Sequence, residues 1–200
     1  MHFPHPFRNR FHALPVLLAL LLLPLAGAHA QRSATQPRSS EFNIFGGYAS
    51  VQPDYNSSLG NQRNNGFFAG ADYNFYGFHH LPFVPSFELR GSLAKGTNVN
   101  EGTGLIGPKV QMTFLRRLHP YANFLAGFGD IYFNKQPFYP GYTHDSSVVY
   151  SAGGGVDIDL KFHLQAKFDY QYQFWNTYED PFTPNVLGVG LNFLLPIHTH

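Results

Sequence analysis

Cysteine is absent from the 200-residue chain. That excludes a disulfide framework, a thiolate metal site and a lipid-modified cysteine, so any membrane attachment must come from the fold. Charge is also scarce: charged residues make up 12% and the formal net charge is +1, a balance that argues against a nucleic-acid partner. After Leu25 no stretch approaches the roughly 18 to 20 consecutive apolar residues of a membrane-spanning helix. What is plentiful instead is aromatic side chains, at 17%, together with 20 glycines and 12 tyrosines. Strands favour aromatic residues, and glycine lets neighbouring backbones approach or bend, so the bias predicts an all-β chain.

The first thirty residues differ from the rest. Arg8 and Arg10 give a positive start, Leu14 to Leu25 form a leucine-rich run, and Ala28-His29-Ala30 offers a small-x-small cleavage pattern. Residues 1–30 are therefore expected to be a signal peptide removed near Ala30, and 31–40 (QRSATQPRSS) a polar linker. The domain proper is expected over 41–194, with a short tail at 195–200.

Within that domain the repeating feature is alternation. From Gly66 the chain reads GFFAGADYNFY, with Phe67, Ala69, Ala71, Tyr73 and Phe75 on one side and Gly66, Gly70, Asp72 and Asn74 on the other. The segment 162–175, FHLQAKFDYQYQFW, alternates Phe162, Leu164, Ala166, Phe168, Tyr170, Tyr172 and Phe174 with polar residues. A period of two defines a strand with two unlike faces, whereas a helix would scatter these rings around its circumference. Eight such segments are expected, near 41–51, 66–76, 85–95, 104–115, 120–130, 147–158, 162–175 and 185–194. Each is about the roughly 9 to 11 residues a tilted strand needs to cross a bilayer. An even number of antiparallel strands closes without leaving an edge in lipid. The fold class predicted is an all-β, eight-stranded, antiparallel up-and-down transmembrane barrel.

The connections are expected to alternate: long around 53–65, 96–103, 131–146 and 176–184, shorter at 77–84, 116–119 and 159–161. Such alternation marks long outer loops and short periplasmic turns, which puts both termini in the periplasm. One face carries Phe67, Phe87, Leu89, Ile106, Val110, Phe114, Phe128, Tyr150, Leu187 and Val189 among others, and is assigned to lipid. The other carries Asp72, Glu88, Arg90, Lys109, Gln111, Asp157, Gln165, Lys167, Asp169, Gln171 and Asn192. From it Glu88, Arg90, Lys109, Asp157, Lys167 and Asp169 are singled out as an interior polar network. Eight strands leave room only for side chains, so paired charges are expected to plug the barrel rather than line a channel.

Residues 41–193 resemble the eight-stranded outer-membrane barrels related to the membrane domain of OmpA, to OmpX and to the opacity proteins. The segment that carries the likeness is YSAGGGVDIDLKFHLQAKFDYQYQFW followed by NVLGVGLNF. It comprises a glycine-rich strand, a tight turn, a strand ending in aromatics and a last strand closing on an aromatic. The resemblance implies a bacterial outer-membrane location and a barrel, not an activity. Phe193 departs from the pattern in being followed by LLPIHTH, where such chains often end.

Other motifs weigh less. Gly102-Thr103-Gly104-Leu105-Ile106-Gly107 matches GxGxxG, but neither the buried strand nor the helix that a dinucleotide loop requires is expected around it. Glycines at a loop-to-strand boundary explain it. His144, Asp145 and Ser146 are expected in the longest outer loop, where three residue types do not yet make a catalytic geometry. His79 with His80 and His198 with His200 are pairs without a carboxylate or cysteine at ligand spacing. Asn56-Ser57-Ser58 is a glycosylation pattern with little meaning in bacterial export. No catalytic residue, cofactor or metal is therefore expected. The expected partners are outer-membrane lipid and a surface ligand or protein met through loops rich in Tyr, Asn, Ser, Gly and Pro, with no nucleic acid. A non-enzymatic structural or adhesion-like role leads. Two readings compete with it: an outer-leaflet lipid-modifying enzyme, and a soluble barrel that turns its apolar face inward around a ligand.

Overall fold

The computed structural model describes residues 40–53, 62–76, 82–115, 117–134, 143–177 and 182–196. They form eight strands: β1 Ser40–Gln52, β2 Asn64–Phe75, β3 Val84–Lys95, β4 Val99–Gln111, β5 Leu118–Phe133, β6 His144–Asp159, β7 Leu164–Trp175 and β8 Asn185–Pro196. Each pairs antiparallel with its neighbour in sequence, and β1 also pairs with β8 (Ile44 opposite Phe193), closing the barrel. Closure gives every strand two partners, the condition for placing a sheet in lipid.

The period-two reading sets the orientation of the faces. β2 alternates buried and exposed from Asn64 to Phe68, and β7 does so from Lys167 to Trp175. Phe67, Phe87, Leu89, Ile106, Val110, Phe124, Phe128, Val148, Tyr150, Phe168, Phe174, Leu187, Val189 and Leu191 all lie exposed on the outside. Asp72, Glu88, Lys109, Asp157 and Lys167 lie buried inside. Such an exterior cannot face water without a large cost per unit of apolar area, which disposes of the inside-out soluble barrel.

Several boundaries differ from expectation. β4 starts at Val99, so the connection before it is only 96–98, closed by Gly96 N donating to Val99 O (2.9 Å). The expected long loop at 96–103 is thus a tight turn, while the β2–β3 connection, 76–83, is longer than it. The clean long-short alternation does not hold. The reason is side-chain anchorage: Val99 joins a buried apolar cluster, and Glu101 accepts a hydrogen bond from Asn64 Nδ2 (2.6 Å), holding this Gly- and Asn-rich stretch in the wall. The GxGxxG residues therefore sit inside β4 rather than at its edge. A Cβ on Gly107 would come within 2.2 Å of the Phe124 carbonyl oxygen, so close approach of β5 explains that glycine. Phe114 and Phe162, assigned to the lipid face of strands, lie beyond the strand ends. Phe114 pairs locally with Leu118, and Phe162 is in the β6–β7 turn. β8 continues to Pro196, with Leu195 opposite Phe42, so the last aromatic, Phe193, is not the end of the strand.

Candidate functional site: the sealed interior

Successive strands bring the inward residues of β2, β3, β4, β6 and β7 to one level. Asp72 stands opposite Glu88 across β2–β3, and Asp157 opposite Lys167 across β6–β7. Two clusters result. In the first, the Arg90 guanidinium grips Asp169 with both Nη atoms, while its Nε donates to Glu88 Oε1 (2.7 Å). Glu88 Oε2 accepts from Asn123 Nδ2 (3.0 Å), and Asp169 Oδ1 accepts from Tyr121 OH (2.6 Å). Gln171 Nε2 bridges Asp169 and Asn123, 3.1 Å from each, and Ser151 Oγ donates to Gln171 Oε1 (2.9 Å).

In the second cluster Lys109 Nζ donates to Asp72 Oδ2 (2.6 Å) and lies 3.8 Å from Asp157 Oδ2, while Lys167 Nζ is 3.3 Å from Asp157 Oδ1. The Tyr121 ring joins the two clusters: Lys109 and Lys167 Nζ stand 4.3 and 4.1 Å from its centroid, and its hydroxyl is on Asp169. Both charge signs are thus paired where an isolated charge would be very costly.

All six residues singled out from the sequence, Glu88, Arg90, Lys109, Asp157, Lys167 and Asp169, lie in this layer. Tyr121 and Asn123 were not singled out. An aromatic does not read as part of a polar network, and the only signal was parity: both share their face of β5 with buried Leu125.

Towards the end of the barrel away from the termini the interior turns apolar, which the polar list did not foresee. Val99, Leu105, Leu125, Ile131, Val149, Trp175 and Phe182 form one cluster, with the Trp175 and Phe182 rings stacked at 5.0 Å. Phe45, Ala49, Val51, Phe68, Ala94 and Val186 form another on β1, β2, β3 and β8. Trp175 Nε1 donates to Gln173 Oε1 (3.0 Å), so the indole is buried with its donor satisfied.

His144, Asp145 and Ser146 are not in a loop; they are the first residues of β6. The strand aims His144 and Ser146 outward, where they meet Asp130 of β5, a residue the sequence had not connected with them. Ser146 Oγ donates to Asp130 Oδ1 and lies 3.3 Å from His144 Nε2, which is itself 3.5 Å from the same carboxylate oxygen. Serine and carboxylate therefore meet one ring nitrogen, whereas a Ser–His–acid relay needs them on opposite nitrogens. His79, His80, His198, His200 and Asn56-Ser57-Ser58 lie outside the described residues, as do residues 1–39.

A closed eight-stranded barrel with an apolar exterior and a charge-paired interior defines a transmembrane β-barrel of the bacterial outer membrane. The sequence matches the outer membrane protein beta-barrel domain over residues 18–193, and the chain belongs to that family. Among curated proteins no sequence matches it. Two solved structures share the fold at low identity. Ail, the attachment invasion locus protein of Yersinia pestis, solved with the heparin analogue sucrose octasulfate, is 15% identical. That match has a TM-score of 0.54 and covers 78% of this chain and 99% of Ail. Neisserial surface protein A is 12% identical with a TM-score of 0.50, covering 78% of this chain and 96% of that one.

Proposed function

We propose that the protein is a non-conducting, non-enzymatic barrel that braces the outer membrane and offers its connections at the end away from the termini for contact with a surface ligand or partner. The observation that carries this is the filled cross-section: a layer of paired charges beneath two apolar clusters. A barrel filled in this way has no use for its lumen as a channel, which leaves its ends and outer wall to meet partners. Residues 1–30 serve as the export signal, cleaved near Ala30, 31–39 as a linker in the periplasm, and the end opposite the termini faces outward. Three connections there, 53–63, 134–143 and 176–184, supply the adaptable Tyr, Asn, Ser, Gly and Pro surface. Because Ail was solved with a heparin analogue, a sulfated glycan is the first surface ligand to test.

The test uses protein reconstituted in vesicles. Planar-bilayer recordings are expected to show no discrete conductance steps. Heparin-coated surfaces are expected to retain the vesicles, and exchange of 135–142 for a glycine-serine linker should reduce retention while the boiling-dependent gel shift of a folded barrel persists. Stable conductance, loss of the folded barrel on exchange, or retention unchanged after all three connections are exchanged would each overturn the proposal.

A further inference from the structure

The end of the barrel that holds the termini carries two neighbouring hairpin tips whose side chains the interior does not use. In the β4–β5 tip, Phe114 N donates to Leu118 O (2.6 Å) and Leu118 N to Phe114 O (2.9 Å), closing the chain around Leu115 and Arg117. In the β6–β7 tip, Leu160 N donates to Leu164 O (2.9 Å) around Lys161, Phe162 and His163. Leu118 stands opposite Ile158, and Asp159 N donates to Arg117 O (2.8 Å), so the tips lie side by side. Arg116 lies outside the described residues.

Both tips follow one plan. Residues 114–118 read FLRRL and residues 160–164 read LKFHL, large apolar side chains interleaved with bases. The apolar ones are not buried: Phe114 is 52% exposed, Leu115 72%, Leu160 53% and Phe162 84%. Leu115 (φ 50°) and Phe162 (φ 59°) also hold left-handed positions, where asparagine or glycine would be less strained, so turn chemistry does not call for them. Such side chains are costly to leave in water. Here they extend the outward wall of Val110, Phe124 and Phe168 on the same hairpins, which places them where lipid chains give way to headgroups.

The charge beside them has one sign. Arg117 and Lys161 are exposed and, among the described residues, make no ion pair. Neither tip contains an acidic residue. The adjoining carboxylate, Asp159, turns into the lumen, where Gln165 Nε2 donates to its Oδ1 (2.8 Å) and His119 Nε2 is 3.0 Å from its Oδ2. Unpaired cations among exposed apolar side chains complement an anionic headgroup: lysine and arginine lay their stems along apolar surface and hold the charge at the polar level. A guanidinium also matches phosphate oxygens in pairs. Each such cation near an anionic surface strengthens the attraction about fivefold.

We infer that the two tips form a docking surface for anionic glycerophospholipid, with Arg117 and Lys161 on the headgroup phosphate and Phe114, Leu115 and Leu160 against the start of its acyl chains. A zwitterionic headgroup carries its own cation beside the phosphate, so the surface selects lipid of net negative charge. Under the orientation proposed above the leaflet concerned is the periplasmic one. The contact itself depends neither on that orientation nor on what the opposite end of the barrel meets.

The test takes the protein purified from membranes into detergent micelles and compares, by native mass spectrometry, its binding of dimyristoylphosphatidylglycerol and dimyristoylphosphatidylcholine, which differ only in the headgroup. The expected result is about tenfold tighter binding of the anionic lipid, a preference lowered about fivefold or more by Arg117→Gln with Lys161→Gln. Lys95→Gln, at an exposed cation at the far end of β3, should leave it unchanged. All three positions are exposed, so the boiling-dependent gel shift should persist in each variant. In nanodiscs of the unaltered protein, NMR should show the Arg117 Nε–H and the Lys161 amide shifting saturably as the anionic lipid replaces the zwitterionic one, and staying in place when inorganic phosphate is added. Equal binding of the two lipids would leave the tips to a partner other than lipid and overturn the inference. So would a preference intact in the double variant, an equal loss in Lys95→Gln, or the same NMR response to inorganic phosphate alone.

Discussion

Lys109 Nζ lies 2.6 Å from Asp72 Oδ2 with neither side chain accessible to solvent, and this pair ties β4 to β2 across the lumen. Replacing Lys109 by Met keeps most of the volume but strands Asp72 and weakens the hold on Asp157. Breaking a buried pair from one side costs about 3–5 kcal/mol, whereas replacing both partners by apolar residues is often near neutral. Lys109→Met is therefore expected to destabilise the barrel by that amount in urea unfolding from lipid vesicles. Lys109→Met with Asp72→Leu should recover most of the loss. A double variant as unstable as the single one would show that the pair is not the relevant unit.

How much of this was legible in advance follows from what each pattern encodes. The strands and the two faces were readable because alternation such as Phe168, Tyr170, Tyr172 against Lys167, Asp169, Gln171 has no other regular solution. The six network residues could be named from parity alone. Their partners could not, because Tyr121 meets Asp169 across 48 positions of sequence, a distance set by barrel closure rather than by local pattern. The same applies to Asp130 beside Ser146, and to Val99 and Glu101, whose Gly- and Asn-rich surroundings suggested a loop while their inward anchors made a strand. The apolar upper interior escaped because Trp175 and Leu125 share the inward parity of the network residues, but nothing local shows that apolar side chains from β4, β5, β6 and β7 meet there until barrel closure sets the register.

Leu89 faces outward near the middle of β3, opposite Ala71 and Ile106, while Phe67 faces outward close to the far end of β2. Arginine on a lipid-facing position costs about 2–4 kcal/mol at the bilayer midplane and about 0–1 near the interface. Leu89→Arg is expected to cost several times more than Phe67→Arg in folding into phosphatidylcholine vesicles. Equal penalties would mean that the two positions do not differ in depth.

Pro108 interrupts one seam of the wall. Pairing of β4 with β3 runs unbroken through Phe87 and Pro108, but pairing with β5 passes from Ile106–Ala126 to Lys109–Asn123 with nothing between. A proline has no N–H to offer Phe124, the residue across that seam. Pro108→Val restores the donor on an outward position suited to a β-branched side chain. It is expected to slow amide exchange at Phe124 and Leu125 and to stabilise the barrel by about 1 kcal/mol. Exchange unchanged at those amides would show that the seam is held by other contacts.

The turn between β6 and β7 yields the sharpest stability test, because Phe162 and His163 occupy left-handed positions that cost L-residues roughly 1–2 kcal/mol each. Phe162→Asn with His163→Gly supplies the pair favoured at the two central positions of a tight hairpin. Phe162 is largely exposed, so its loss removes little packing. The double substitution is expected to raise stability by about 1–2 kcal/mol in urea unfolding. Lower stability would mean that the Phe162 ring contributes more at the barrel rim than its exposure implies.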